Sequence, residues 1–132
     1  MVLGRLKELE QPTSYELQAQ VKLEGNPPLL LDGLFISKAN HLPDIVIEVK
    51  FSNLSVTRTL KNRIVETQGL LMQYMMQYRR QSIGWLIVVV DEDLGKAASA
   101  AIDRAVAEAA DFMHISVITP ETLGELVLPI DL

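Results

Sequence analysis

Apolar residues recur at helical spacing in three segments of the chain, and at strand spacing or in short buried runs in five others. Leu3, Leu6 and Leu9 form a single stripe on a short first helix. Residues 83–90 are apolar on both faces and rich in branched side chains, which is typical of a buried central strand. The predicted elements are, in chain order, a helix at 2–10, strands at 14–24, 29–36 and 44–50, a helix from 53–55 to about 81, a strand at 83–90, a helix at 96–112, a strand at 115–119 and a helical turn at 120–127.

This order of elements predicts an α/β fold with a mixed β-sheet. Three successive strands form an antiparallel meander, and the strand–helix–strand unit that follows extends the same sheet, with helices on both faces. The turn residues 25–28 and the helix-capping residues 53–55 fit this arrangement. We take residues 1–132 as a single domain, because no repeat or linker divides the chain.

Three elements have side-chain stripes that predict which face is buried. The first strand places five residues on one face, namely Tyr15, Leu17, Ala19, Val21 and Leu23. The long helix has a stripe of Leu60, Ile64, Leu71, Met75 and Tyr78, with Gln68 inside it. Met72 and Met76 flank that stripe, where they either widen the core contact or meet a second subunit. The third helix is lined by Ala98, Ala101, Ile102, Ala105, Ala109 and Phe112.

Three charged residues interrupt the apolar strands between residues 29 and 50. Asp32 lies in the second strand, and Glu48 and Lys50 lie in the third. Side chains alternate across a strand, so Glu48 and Lys50 share a face, and the antiparallel neighbour can bring Asp32 alongside them. A buried charge is costly unless it is paired or bound to a metal. We therefore take these three residues as candidate functional residues.

Composition narrows the classes of function. The absence of cysteine excludes a disulfide framework, a thiolate metal site and a cysteine nucleophile. The net charge of −5 argues against tight, autonomous nucleic-acid binding, although Arg58, Lys61 and Arg63 gather near the start of the long helix. No apolar run reaches the roughly 20 residues of a membrane helix, and the N-terminus lacks the apolar core of a signal peptide. We expect a cytoplasmic protein.

With this arrangement, the sequence resembles the PD-(D/E)XK nuclease superfamily, which has the restriction-endonuclease-like fold. The resemblance rests on Asp32-Gly33 in the second strand, on Glu48-Val49-Lys50 in the third, and on the order helix, meander, helix, strand. It covers roughly residues 1–90. Asp44 follows a proline at the start of the third strand, but the family's acid lies on the preceding strand, so we assign that position to Asp32.

The resemblance implies a metal-dependent nuclease that acts on DNA, and we expect an endonuclease. Asp32, Glu48 and the main-chain carbonyl of Val49 would bind Mg²⁺ or Mn²⁺. Lys50 would position or help to deprotonate the attacking water and stabilise the charge that develops on the phosphate.

The family pattern extends to two further positions. It often includes an acid from the first helix, for which Glu8 and Glu10 are both candidates. Gln68 matches the glutamine of the Gln-x-x-x-Tyr motif in the RecB-like branch, where it would contact DNA or the inner ligands. Tyr74 follows two positions later than that motif requires.

Other interpretations of the same residues stay open. Glu48 and Lys50 can form a salt bridge on an exposed sheet face, and Asp32 can be a bulge or turn residue before Gly33. The fold can also serve as a catalytically silent scaffold or partner-binding domain. A small ligand-binding module is a weaker alternative, because no glycine-rich phosphate loop is present. For a nuclease, the acidic charge points to substrate targeting through a homodimer, a partner subunit or other domains of a longer protein.

Overall fold

The computed structural model describes residues 2–10, 14–25, 28–39, 41–52, 56–90, 96–109 and 111–130, with the backbone alone at 52, 56–59 and 96–99. These residues form α1 (Val2–Leu9), β1 (Tyr15–Leu23), β2 (Leu29–Ser37), β3 (Asp44–Ser52), α2 (Val56–Tyr78), β4 (Ser82–Val90), α3 (Lys96–Glu108), β5 (Met113–Ile118) and a 3₁₀ helix (Pro120–Glu125). The predicted order of elements is confirmed. The turn residues Asn26 and Pro27, the capping residues 53–55 and the side chains of Arg58 and Ala98 lie outside the described part.

The five strands form one mixed sheet in the order β1-β2-β3-β4-β5. β1, β2 and β3 pair antiparallel, as the meander predicts, whereas β3, β4 and β5 pair parallel. α2 connects β3 to β4 and α3 connects β4 to β5, since parallel neighbours need such crossovers. The prediction of an α/β fold with a mixed sheet is therefore confirmed, while the restriction-endonuclease-like type stays a prediction.

Apolar clusters cover both faces of the sheet. On the α1 face, the fully buried Trp85 of β4 packs in one cluster with Leu6 of α1. On the opposite α2 face, Leu86 packs with Leu60 of α2 and Ile102 of α3. Adjacent residues of β4 thus enter different cores, as expected for a central strand that is apolar on both faces.

Both long helices end earlier than predicted. α2 ends at Tyr78 because Arg79 adopts a left-handed backbone with φ of 53°, and its N–H donates to the Met75 carbonyl at 2.8 Å. This is a helix C-terminal bond that satisfies an otherwise free carbonyl. α3 ends at Glu108, and Phe112, which was predicted to lie on its buried side, is 40% exposed beyond it.

The C-terminal half of α2 departs from the predicted stripe at Tyr78, whereas Met75 is partly buried and packs against the core as predicted. Tyr74 is buried, whereas Tyr78, Met72 and Met76 are exposed, so the two methionines do not widen the core contact. The first part of the stripe is confirmed by the burial of Leu60, Ile64 and Leu71. Within the described ranges, no helix is long and apolar enough to cross a membrane.

β1 changes face halfway along its length, which corrects the prediction of a single apolar face. Tyr15 and Leu17 pack on the α1 face, whereas Val21 and Leu23 pack on the α2 face. Between these pairs, Gln20 has a φ of 52°. A non-glycine residue in the left-handed region is strained and interrupts the regular alternation of side chains. The register with β2 passes from Ala19–Gly33 to Val21–Leu31 and leaves the pair Gln20–Asp32 unmatched.

A buried ionic network joins the start of β3 to the end of α2. The side chain of Asp44 is fully buried, and Arg80 donates to both of its carboxylate oxygens. The hydroxyl of Tyr74 and the main-chain N–H of Ser37 donate to the same carboxylate. Asp44 therefore holds β2, β3 and α2 together, and this structural role accounts for the presence of an acidic residue at the start of β3.

Candidate functional site

The candidate site lies where β2 and β3 separate. Their ladder pairs Phe35 with Ile45 and ends at the pair Gly33–Ile47. Beyond it, each strand's carboxyl accepts from the other's main chain. The N–H of Val49 donates to Asp32 Oδ2 at 2.7 Å, and the N–H of Asp32 approaches Glu48 Oε1 at 3.4 Å. The two carboxyl groups thereby replace the next rung of the ladder and lie side by side.

Lys50 completes a compact group of charges. Its Nζ lies 3.9 Å from Glu48 Oε2, so the predicted shared face of these two residues is confirmed. Glu48 is only 4% exposed, which excludes the interpretation of a salt bridge on an open sheet face. About a third of the Lys50 side chain remains exposed, at 32%, so its ammonium group is accessible from solvent.

The protonation of Glu48 reflects this crowding of acids. Burial, and after it the neighbouring Asp32 carboxyl, raise the pKa of Glu48 to about 8, whereas the Lys50 ammonium lowers it. The positive charge of Lys50 therefore does not offset the burial of Glu48 and its repulsion by Asp32. The pair can relieve its repulsion either by holding a proton or by binding a cation.

The donor set suits a hard divalent cation in part. Two adjacent carboxylates are oxygen ligands that Mg²⁺ and Mn²⁺ favour, and these ions often keep several waters as further ligands. Within the described residues, no group of three or more His, Cys, Asp or Glu side chains is placed to hold a metal ion. Asp32 and Glu48 would therefore be joined by main-chain oxygen, such as that of Val49, and by water.

The structure gives both candidate acids of α1 other partners. Glu8 pairs with Arg5, with 3.0 Å between the charged groups. Glu10 pairs with Lys7 at 2.8 Å and accepts from the main-chain N–H of Leu17 at the same distance. Neither forms a three-membered acidic group with the pair in the described part of the chain.

Gln68 is a residue of α2, on the side of this helix that faces α3. It is half-buried and lines a groove with Lys61 and Val65 of α2 and Glu108 of α3. None of the contacts in the described ranges joins it to the carboxylate pair. Tyr74, which follows it, instead uses its hydroxyl in the Asp44 network.

The basic residues at the start of α2 are largely neutralised. Lys61 lies 3.4 Å from Glu108, and Arg63 lies 3.3 Å from Glu66. These exposed pairs reduce the local positive field that a nucleic-acid backbone would meet. The side chain of Arg58 is outside the described part.

A cavity on the α1 face adjoins the carboxylate pair, and sequence reasoning did not identify it. It has a volume of about 280 Å³. Its lining residues are Val2, Leu3, Gln20, Asp32, Val49 and Phe51. The available signal in the sequence was an aromatic residue, Phe51, directly after the Glu-x-Lys segment, and the structure shows its ring to be exposed. The role of Gln20 depends on its left-handed backbone, which the alternating pattern of β1 conceals.

In chemical terms, the site combines two adjacent carboxylates, which are potential cation ligands, with a lysine beside them. Such a combination can polarise a phosphate and orient a water molecule. Comparison of the chain with protein families, with curated proteins and with solved structures finds no match.

Proposed function

We propose that this chain is a metal-dependent nuclease domain that hydrolyses phosphodiester bonds of DNA. The observation that supports this proposal most directly is the buried carboxylate pair of Asp32 and Glu48, with Lys50 beside it, at the point where β2 and β3 separate. A purely structural rung would need no second acid. Burial and the neighbouring Asp32 raise the pKa of Glu48 to about 8, and strongly shifted pKa values of this kind cluster at functional sites.

In the proposed site, Asp32 and Glu48 hold Mg²⁺ or Mn²⁺ with the main-chain carbonyl of Val49. The bound ion supplies Lewis acidity for the phosphate and lowers the pKa of coordinated water. The hydrogen bond from the Val49 N–H fixes Asp32 Oδ2, so the carboxylate is oriented before any ligand arrives. Lys50, which is tethered to Glu48 but partly solvated, reaches the substrate side and stabilises negative charge on the phosphate.

The experiment combines metal-dependent melting with cleavage of plasmid and linear DNA. We expect Mg²⁺ or Mn²⁺ to raise the melting temperature of the wild type, because a ligand that binds only the folded state stabilises it. Asp32→Asn and Glu48→Gln abolish both this shift and cleavage. Lys50→Ala abolishes cleavage but keeps the thermal shift, and the exposed Asp103→Asn on α3 changes neither.

The same measurement tests a second candidate, a catalytically silent scaffold that binds a partner. The lack of a third acidic ligand in the described residues favours this alternative. A scaffold predicts no melting shift with either metal and no cleavage. A metal-dependent shift without cleavage would instead favour an intact nuclease site that needs a homodimer, a partner subunit or further domains, in keeping with the net charge of −5.

A further inference from the structure

The cavity on the α1 face, here called the Phe51 cavity, adjoins the candidate metal site at Asp32. Asp32 and Val49 belong to both, because Val49 donates its N–H to Asp32 and both side chains line the cavity. Glu48 and Lys50 alternate with Val49 and Phe51 along β3 and do not line the cavity, so a phosphate held at the carboxylate pair would place its strand at the cavity by way of Asp32. The volume of about 280 Å³ is close to the lower limit of small-molecule sites.

The cavity presents an apolar surface with one exposed aromatic ring. Val2, Leu3 and Val49 form the aliphatic part of the cavity wall, and Phe51 adds an aromatic side chain that is 69% exposed. A single exposed apolar residue is ordinary on a protein surface. The position of Phe51 distinguishes it from such a residue, because its ring lines the same cavity as Asp32, an acid of the proposed site.

Gln20 adds a polar group to the same wall at a strained position. It is exposed, has a φ of 52°, and lies opposite Asp32 where the β1–β2 register is unmatched. Strained backbone of this kind is found preferentially at binding and catalytic sites. The side-chain amide offers two donors and an acceptor, the groups that recognise the edge of a nucleobase.

We propose that the Phe51 cavity binds an unpaired nucleobase of the strand whose phosphate lies at Asp32 and Glu48, with the base stacked on Phe51 and its edge facing Gln20. The inference rests on the proposed function and names its substrate class, which is single-stranded or locally unpaired nucleic acid. A base within a duplex has both faces stacked and its edge paired, so it is not free to occupy such a cavity.

The test uses Phe51→Trp as a fluorescent reporter. The chain has one tryptophan, Trp85, which is fully buried, so the introduced indole is the residue in contact with solvent. The variant is titrated with a single-stranded DNA oligonucleotide and with the duplex of the same sequence, with Ca²⁺ in place of Mg²⁺. We expect saturable quenching by the single strand and none by the duplex.

Affinity measurements on two further variants complete the test. Phe51→Leu keeps an apolar side chain but removes the stacking surface, and we expect it to weaken single-strand binding by roughly 5- to 100-fold. The control is Met76→Ala on α2, which removes a comparably exposed apolar side chain on another face and should leave affinity unchanged.

The outcomes separate this inference from the proposed function. Metal-dependent cleavage together with equal quenching by both substrates, or with unchanged affinity of Phe51→Leu, overturns the base subsite and leaves the nuclease proposal standing. Absence of metal-dependent stabilisation, of cleavage and of quenching overturns both. Quenching by the single strand that depends on Phe51, in a protein that also cleaves, supports both.

Discussion

Glu48 is a buried acid with a second acid beside it, and this has a consequence for stability in the absence of metal. The folded-state pKa is about 8, compared with an ordinary value of 4.5. The folded protein therefore binds a proton that the unfolded chain has released, and its stability falls as pH rises between these two values. Well below pH 4.5, Glu48 is protonated in both the folded and the unfolded state, and its contribution to the pH dependence of stability disappears.

We predict that unfolding free energy in EDTA falls by about 2–4 kcal/mol between pH 5 and pH 8 because of Glu48, since each pKa unit corresponds to about 1.4 kcal/mol. Glu48→Gln removes this part of the slope and is the more stable protein at pH 8. Urea denaturation at both pH values measures it. The matched control is Glu16→Gln on the exposed side of β1, which should keep the wild-type slope. Parallel slopes for Glu48→Gln and wild type would contradict the assignment.

Asp44 differs from Asp32 in that its described partners, Ser37, Tyr74 and Arg80, hold the fold together and belong to no candidate site. Arg80 keeps nearly half of its side chain in solvent, whereas Asp44 is fully buried, so loss of the arginine leaves the carboxylate without its cation. We predict that Arg80→Met lowers unfolding free energy by about 2 kcal/mol, less than the about 3–5 kcal/mol typical of a fully buried pair. Denaturation midpoints measure this loss, and the Mg²⁺-dependent shift should persist.

The adjacent arginine supplies the control for this comparison. Arg79 is also exposed and lies just beyond α2, but the structure gives it a main-chain role at the helix end rather than a place in the Asp44 network. Arg79→Met should therefore have little effect. Equal destabilisation by the two substitutions would mean that the Asp44 network does not carry the predicted energy.

At the scale of elements, β1 and β2 are paired strands with a shared interruption. Gln20 and Asp32 occupy the unmatched position, and the apolar residues of β1 lie on the α1 face before it and on the α2 face beyond it. The interruption directs Asp32 towards Val49 and away from a regular rung. The strained residue on one strand thus lies opposite the candidate acid on the other.

We predict opposite effects for two glycine substitutions in β1. Gln20→Gly should stabilise the protein by up to about 1 kcal/mol, because glycine adopts a φ of 52° without strain. Gln18→Gly, at an exposed position of regular strand two residues earlier, should destabilise it by about 0.5–1 kcal/mol. Urea midpoints of the two variants provide the comparison. Destabilisation at both positions would show that Gln20 contributes side-chain contacts that exceed its backbone strain.

The order of elements was predictable because apolar periodicity and branched-residue runs report directly on burial. The shared face of Glu48 and Lys50 was predictable for the same reason, since alternation holds throughout β3. The face change in β1 was not, because Tyr15 and Leu23 keep the same spacing whether or not Gln20 turns the strand. Burial of Tyr74 rather than Tyr78 was also hidden, since it depends on the carboxylate of Asp44, 30 residues away in the chain.

At the scale of the whole molecule, charge limits how the proposed substrate is bound. The chain has a net charge of −5, and the two basic side chains of α2 that the structure describes, Lys61 and Arg63, are paired with glutamates. Proteins that neutralise many phosphates release many counterions, and their affinity falls steeply with salt. A site in which one lysine and a bound cation meet the phosphate should instead depend weakly on salt.

We therefore predict that, with Ca²⁺ at a fixed concentration in place of Mg²⁺, the slope of log K against log salt for a single-stranded oligonucleotide lies near −1, where about −0.7 is expected for each phosphate contacted. Lys50→Met should reduce its magnitude by about 0.7, which corresponds to the loss of one contact. Lys22→Met, on exposed β1, changes the net charge by the same amount and should leave the slope unchanged. Because long-range repulsion affects both variants equally, only a local contact of Lys50 with phosphate produces a difference between them. Identical slopes for the two would place the bound strand away from Lys50, and a steep slope in the wild type would require a basic surface that the described ion pairs do not provide.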